Sequence, residues 1–259
     1  MKIVIAGYGA VGQAIYYALQ AYDPDKMDIY IDDPAKGYNF KNVGDPVDGV
    51  IVCVATPAHE SGMCNTDYVE QVLTKYGNAK YLIKSAVDPV WLDWETGVRE
   101  GSYTYSPEFL GGSNIHRDPC EEFLNQTFAI YGGDNCRFWD EFFRPVLPKL
   151  ENVKYCTLQQ AAFSKYVENC FLATKVVFFN EMYRIFDDIG FDGFDQMVDA
   201  VTLDPRIGRS HTQVPGPDGE FGYGGHCFPK DVAALRYIAK DSPLLDVVSD
   251  LNEEIRNAC

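Results

Sequence analysis

After Met1 the chain opens Lys2-Ile3-Val4-Ile5-Ala6-Gly7-Tyr8-Gly9-Ala10-Val11-Gly12, and this stretch decides its fold class. Lys2–Ala6 is a solid apolar run, the pattern of a strand buried on both faces, and it leads straight into Gly-x-Gly-x-x-Gly. Glycine serves three purposes there: a tight turn, close approach of the backbone to a pyrophosphate, and packing of helix on strand. Gln13–Ala21 reads as the helix that follows, its N-terminus facing the phosphates. Asp32 stands twenty residues beyond Gly12, closing a second strand at Asp28–Ile31. A carboxylate in that place accepts from both hydroxyls of a ribose and repels a 2′-phosphate, which points to NAD rather than NADP. The expected cofactor contacts are therefore Gly7, Gly9, Ala10, Val11, Gly12 and Asp32. The alternative is a tight strand-to-helix turn with no cofactor.

Working outward, Gly49–Ala55 is a third continuous apolar run, Asp67–Tyr76 is helical, and Tyr81–Ile83 and Thr127–Tyr131 read as further strands. Solid apolar strands interleaved with helices predict an α/β, Rossmann-like parallel sheet covered on both faces, over residues 1–155. Beyond residue 156 the pattern changes. Leu158–Ile189 holds neither proline nor glycine and ends at Gly190. It predicts one helix of about 30 residues, roughly 45 Å long. Val176-Val177-Phe178-Phe179 leaves this helix no polar side, so burial is expected there, against the rest of the chain or a second copy. Phe194–Leu203, Asp231–Lys240 and Pro243–Arg256 read as helices, and the Gly- and Pro-rich Asp204–Tyr223 as loop. Residues 156–259 thus form a mainly helical domain built on the long helix.

Composition narrows the function. Asp and Glu number 38 against 22 Lys and Arg, a net charge of −16, which argues against a nucleic-acid or membrane-surface binder. No apolar run reaches the roughly 18–20 residues needed to cross a bilayer. The N-terminus lacks a secretion-type cleavage site. Eight cysteines are scattered without a CxxC pair or metal-like spacing to the four histidines. They read as reduced thiols of a cytoplasmic protein, with no metal site expected.

Three further groups could carry chemistry. Lys165 and Asn169 lie four apart on the long helix and share a face. Together they can place a charge and a neutral donor on one developing oxyanion, or simply form a solvated face. Cys227 lies in Gly224-Gly225-His226-Cys227-Phe228-Pro229-Lys230-Asp231 at a loop-to-helix junction. The glycines would expose its sulfur, and a helix N-terminus with Lys230 nearby would favour the thiolate. A buried inert cysteine is the alternative, and His226 is a base or a structural donor. Glu108, in Ser106-Pro107-Glu108-Phe109-Leu110, is an acid–base group or a cap.

In combination these segments resemble the nucleotide-sugar 6-dehydrogenases, the UDP-glucose and GDP-mannose dehydrogenase family. The matching motifs run in family order: Gly7–Gly12, Val54-Ala55-Thr56-Pro57, Lys84-Ser85, Pro107-Glu108-Phe109-Leu110, Lys165 with Asn169, Asn180-Glu181, Asp204-Pro205-Arg206-Ile207-Gly208 and Gly224–Asp231. The resemblance implies a cytoplasmic NAD enzyme that oxidises a C6 alcohol twice, to the carboxylate. It implies that Cys227 holds the aldehyde as a thiohemiacetal and then a thioester, and that Lys165 and Asn169 steady the oxyanions. Asp231 would orient Lys165 or a water, and Glu108 would assist thioester hydrolysis. Thr56, Ser85 and Lys230 would line the cofactor; Phe109, Leu110, Arg206 and Gly224 would meet the nucleotide sugar, Arg206 across a homodimer boundary formed by the long helix.

Three departures stand out. The family carries Thr after Lys-Ser, where this chain has Ala86, and a second Glu where it has Gly112. It also has a third, nucleotide-gripping domain, whereas this chain ends at Cys259, just after the helix that leads into it. The expectation is a weak KM for a nucleotide sugar, a smaller substrate, or a partner that completes the site. His226 matches the N-acetylmannosamine branch while Phe228–Asp231 matches the glucose and mannose branches, so the sugar is not readable. Two other readings remain open: a two-domain hydroxyacid-type dehydrogenase, which needs no cysteine, and a truncated NAD-binding protein without catalysis.

Overall fold

The computed structural model describes residues 1–22, 28–41, 46–99, 101–110 and 118–257. Its first elements follow from the opening pattern. Strand β1 (Lys2–Ala6) turns at Gly7 into helix α1 (Ala10–Tyr22), and β2 (Asp28–Asp32) returns beside β1. Strands β3 (Gly49–Val52), β4 (Lys80–Ile83) and β5 (Ser102–Tyr105) follow, separated by helices α2 (Asp67–Lys75) and α3 (Pro89–Val98). Helix α4 (Pro119–Leu124), β6 (Phe128–Gly133), α5 (Cys136–Phe143) and β7 (Asn152–Cys156) complete a sheet of order β2-β1-β3-β4-β5-β6-β7. Successive side chains of a strand point to opposite faces, and the core obeys that rule. Ile3 and Ile5 join Ile51 and Leu82 under Ile15, Leu19, Phe123, Trp139 and Phe143. Val4, Ala6, Val50 and Val52 pack on the other face under Val69, Leu73 and Leu92. Each fully buried aliphatic side chain contributes ~1.5–3 kcal/mol, which is why the strands are apolar without alternation.

The sheet corrects one expectation. It is not wholly parallel: β6 pairs antiparallel to β5, through Thr104↔Gly133 and Tyr105↔Gly132. Gly133 has φ +107, and a Cβ there would lie 2.3 Å from the Tyr103 carbonyl oxygen, so the reversal depends on a glycine. The amphipathic β2 and β7 are the edges, where half of each strand stays wet, and β5 and β7 lack the apolar runs that identify strands by sequence.

Helix α6 (Leu158–Asp188) spans 31 residues as one rod, followed by α7 (Phe194–Val201), α8 (Cys227–Ala239) and α9 (Pro243–Asn257). Among the described residues the chain divides into two compact units. The first is built from 1–59, 64–110 and 118–165, the second from 60–63 and 166–257. The second unit's core gathers Cys170, Ala173 and Val177 of α6 with Tyr223, Val232 of α8 and Val248 of α9. A second cluster sets Phe179 against Phe194, Val198 and Val214. One expectation is corrected here. Helix α8 starts at Cys227, four residues before the expected Asp231, because a proline in the first turn costs no hydrogen bond. Of the stretch Val176–Phe179, Val177 and Phe179 are buried within the chain, while Phe178 is 51% exposed and left for the second copy that the sequence reading allowed. Among the described residues no helix is long and apolar enough to cross a membrane, and every cysteine is a free thiol. Cys259 and Gly112 lie outside the described residues.

Candidate functional site

In the first unit the strand order reverses direction between β1 and β3, so the carboxyl ends of these strands border the crevice in which open α/β sheets take ligands. Gly7 stands at that point with φ +91, and a Cβ would sit 2.6 Å from the Cys53 carbonyl oxygen. A Cβ on Gly12 would come within 2.0 Å of the Gly7 carbonyl oxygen. These two glycines are demanded by the fold itself. Gly9 differs: it is exposed, and a Cβ would meet nothing within 4 Å. Its glycine leaves open space beside Ala10 and Val11, at the N-terminus of α1, whose first-turn amides have no acceptor within the helix. A pyrophosphate fits that space and charge.

The acids at the end of β2 part ways. Asp32 is 5% exposed and faces inward. It accepts from the Tyr76 hydroxyl, from Lys75 Nζ at 2.6 Å and from the Phe40 amide at 3.3 Å. Burial, with that bond to Asp32, raises the Tyr76 phenol well above its usual range. Asp33, which the motif spacing passes over, accepts from the amide of Tyr8 within the glycine turn at 2.8 Å. Lys36 caps the same turn, its Nζ donating to the Tyr8 carbonyl at 2.6 Å.

Thr56 and Ser85 are buried and lace together the loops after β3 and β4. The Thr56 hydroxyl donates to the Ala86 carbonyl at 2.7 Å, and Ser85 donates to the Val54 carbonyl at 2.7 Å. At the end of β5, Glu108 is 6% exposed and holds three partners. Lys84 Nζ lies 3.2 Å from Oε2; Gln126 and the Phe109 amide donate to Oε1 at 2.5 and 2.9 Å. Lys84 also donates to the Ser106 hydroxyl. Their field reaches Cys53, whose thiol burial pushes up to about 12, Lys84 opposing and Glu108 adding. Sequence reasoning quoted Lys84 as a motif residue without giving it this partner, and it missed Gln126 altogether. The usable signal for Lys84 was a lysine at the end of an apolar strand, where a buried ammonium needs a carboxylate. The Phe109 ring packs at a tilt against Phe128 and carries Lys165 Nζ 5.0 Å from its centroid, while Leu110 packs on the core.

The second unit holds another buried polar group. Asn169 Nδ2 donates to Asp231 Oδ2 at 2.5 Å, and Lys230 pairs with the other oxygen. Asp231 is 1% exposed and Asn169 4%. Both carboxylate oxygens are thereby satisfied, which a buried anion requires. Asp231 lies one helical turn beyond Cys227, and Cys227, first residue of α8, is exposed. His226 occupies the N-cap without a side-chain cap bond. The backbone at Gly224 is covered by the Arg256 guanidinium, 2.8 Å from where a Cβ would be. Arg206 is not drawn into this cluster: its side chain is 88% exposed and pairs with Asp204. The structure therefore joins Asn169, Lys230 and Asp231 in one unit, with the exposed Cys227 one helical turn before Asp231, and holds the glycine turn, Thr56, Ser85, Glu108, Phe109 and Lys165 in the other.

Comparison with known proteins adds the following. Residues 159–254 match the model of the UDP-glucose/GDP-mannose dehydrogenase family, central domain. The UDP-glucose 6-dehydrogenase of Rickettsia bellii is 31% identical over 224 residues, covering 80% of this chain and 49% of that protein. The chain spans about half the length of the curated relatives it matches. Among solved structures, a UDP-glucose dehydrogenase from Pyrobaculum islandicum superposes with TM-score 0.71 at 22% identity, covering 99% of this chain and 68% of that one. The 3-hydroxyisobutyrate dehydrogenase of Mycobacterium tuberculosis superposes with TM-score 0.68 at 16% identity, covering 98% of this chain and 92% of that one. Both likenesses are of fold.

Proposed function

We propose that this chain, which belongs to the UDP-glucose/GDP-mannose dehydrogenase family through the central domain at residues 159–254, is an NAD-dependent oxidoreductase that converts the C6 alcohol of a nucleotide sugar to the carboxylate. The observation that carries the reading is the exposed thiol of Cys227 opening α8, one turn before the buried Asp231 that anchors Asn169 and Lys230. Gly7, Gly9, Ala10, Val11 and Gly12 would seat the cofactor's pyrophosphate, Thr56 and Ser85 would shape its crevice, and Lys230 would border it. Held by the glycine turn, NAD would supply the two-electron oxidant that each of the two oxidations requires.

The chain's own residues supply the rest. The alcohol loses a hydride and a proton to give the aldehyde. The Cys227 sulfur then adds to the aldehyde carbon; a C–S bond forms, and the proton released from the thiol ends on the oxygen as a thiohemiacetal. Loss of a second hydride and a proton leaves a thioester. Water cleaves its C–S bond, returning the thiol and releasing the carboxylate with one more proton. A covalent hold is needed because a free aldehyde could leave between the two oxidations. Lys165 and Asn169, one turn apart on α6, offer a cation and an amide N–H to the oxygen that gains charge. Asp231 acts as a positioning residue, fixing the amide of Asn169. Glu108, held by Lys84, assists the attack of water. Phe109, Leu110, Gly224 and Arg206 would meet the substrate.

An acidic, cytoplasmic homodimer completes the reading. Phe163, Val167, Phe171, Phe178 and Ile185 are all exposed on α6 at spacings of four and seven, an apolar stripe suited to a second copy. No nucleic-acid or membrane partner is proposed.

The test is incubation of the protein with NAD and, in turn, UDP-glucose, UDP-N-acetylmannosamine and GDP-mannose, following NADH and the sugar acid. Two NADH per sugar, with Cys227→Ser blocking acid release, supports the proposal. No turnover with any of them overturns it. Full activity of Cys227→Ala on a small hydroxyacid would instead favour a hydroxyacid-type dehydrogenase, whose fold the chain shares.

A further inference from the structure

We propose that Asp33, rather than Asp32, is the carboxylate that receives the ribose hydroxyls of the dinucleotide; the assignment rests on the cofactor reading of the glycine turn. Spacing from Gly12 selects Asp32, because it closes β2. The structure assigns that side chain a different task. Asp32 is 5% exposed and lies on the face of β2 with Tyr30, whose ring meets that of Phe40 at a tilt, while Phe40 stacks on Tyr76. Its oxygens accept from Tyr76, Lys75 and the Phe40 amide. To turn toward a ribose it would abandon an ion pair and a buried phenol, leaving the phenol unsatisfied.

Asp33 has what Asp32 lacks. Adjacent residues of an extended chain point to opposite sides, so with Asp32 turned inward Asp33 turns toward the glycine motif. Its Oδ2 accepts from the amide of Tyr8, the residue immediately before Gly9, where the structure leaves open space. An ionised carboxylate offers about four acceptor sites, and among the described residues the Tyr8 amide is the one donor to this side chain. The backbone is rigidly held: the Asp33 amide donates to the Tyr38 carbonyl at 2.8 Å, and its own carbonyl accepts from Lys36 and Tyr38 at 3.0 Å. The carboxylate is therefore fixed beside the turn with acceptor capacity to spare. It also sits near Lys36, whose ammonium is engaged by the Tyr8 carbonyl. Removing the negative charge at 33 would leave a cation beside the ribose, the arrangement that tolerates a 2′-phosphate.

The test is calorimetric titration of the full chain with NAD and with NADP, alongside thermal melts, for wild type, Asp33→Asn and Asp32→Asn. Asparagine at 33 still accepts from the Tyr8 amide, so the turn should hold and the melting temperature should stay near wild type. The expected result is a roughly tenfold or greater loss of NAD affinity in Asp33→Asn, with a clear narrowing of the preference for NAD over NADP. Asp32→Asn should melt earlier yet, below its transition, bind NAD within about threefold of wild type. Unchanged NAD affinity and selectivity in Asp33→Asn, or a tenfold loss in an Asp32→Asn protein of wild-type stability, overturns the assignment and leaves the cofactor reading standing. A wild-type chain that binds neither dinucleotide overturns both.

Discussion

Replacing Lys84 by methionine should be among the costliest single changes in the first unit. Both members of the Lys84–Glu108 pair are withdrawn from water, with side chains 7% and 4% exposed and 3.2 Å between charged atoms. At an effective dielectric of 20 that separation corresponds to roughly 5 kcal/mol of attraction, largely offset by the cost of drying two ions. Removing one partner takes away the attraction and leaves the drying cost of the other. Lys84→Met should therefore destabilise by about 3–5 kcal/mol. The bonds from Gln126 and the Phe109 amide remain and set the lower end of that range. Glu108→Gln strands the ammonium and should cost a comparable amount. The double variant Lys84→Met/Glu108→Gln leaves no buried ion and should recover at least ~2 kcal/mol of the summed losses. Urea unfolding of the four proteins, with equal m-values, measures the cycle. Additive losses, or a Lys84→Met variant within about 1 kcal/mol of wild type, would refute the claim that this is a buried, mutually dependent pair.

Three other outcomes follow from the same structure. Gly12→Ala should unfold or lose more than ~3 kcal/mol, since its Cβ would overlap the Gly7 carbonyl oxygen, while Gly9→Ala, with open space around its Cβ, should keep its melting temperature and lose NAD affinity at least ~10-fold by calorimetry; wild-type affinity in Gly9→Ala would sink the placing of a pyrophosphate there. Iodoacetamide at mild pH should modify Cys227 first, because it is exposed, whereas burial pushes the Cys53 and Cys170 thiols up to about 12; peptide mapping that finds Cys53 or Cys170 labelled ahead of it would contradict the structure. Burial first, and then nearby Lys175, lowers the His211 imidazole below its ordinary 6.5. The unfolded chain therefore binds this proton before the folded one, and the contribution, full above pH ~6.5, is lost as the pH falls through the folded value. His211→Asn, which suits the φ of +60 at this position, should flatten the decline of the melting temperature between pH ~7 and ~5, and an unchanged slope would count against it.

Much of the architecture was legible in the chain itself, for a physical reason: burial on both faces demands apolar side chains at every position, so β1, β3 and β4 announce themselves as Lys2–Ala6, Gly49–Val52 and Lys80–Ile83. The glycine turn, the long α6 and the junction at Cys227 are equally local, because each depends on backbone freedom or on the absence of helix breakers within a few residues. The antiparallel β6 was not legible, since its direction depends on Gly133 allowing β5 and its neighbours to approach, a matter of two segments some thirty residues apart. Nor were the different placements of Asp32 and Asp33. Spacing locates the pair, but which of them faces the turn is decided by Tyr76 and Lys75, more than forty residues away. The same holds for Lys84 with Glu108 and for Asn169 with Asp231: the sequence shows that buried charges must find partners, and only the packing of distant elements names them.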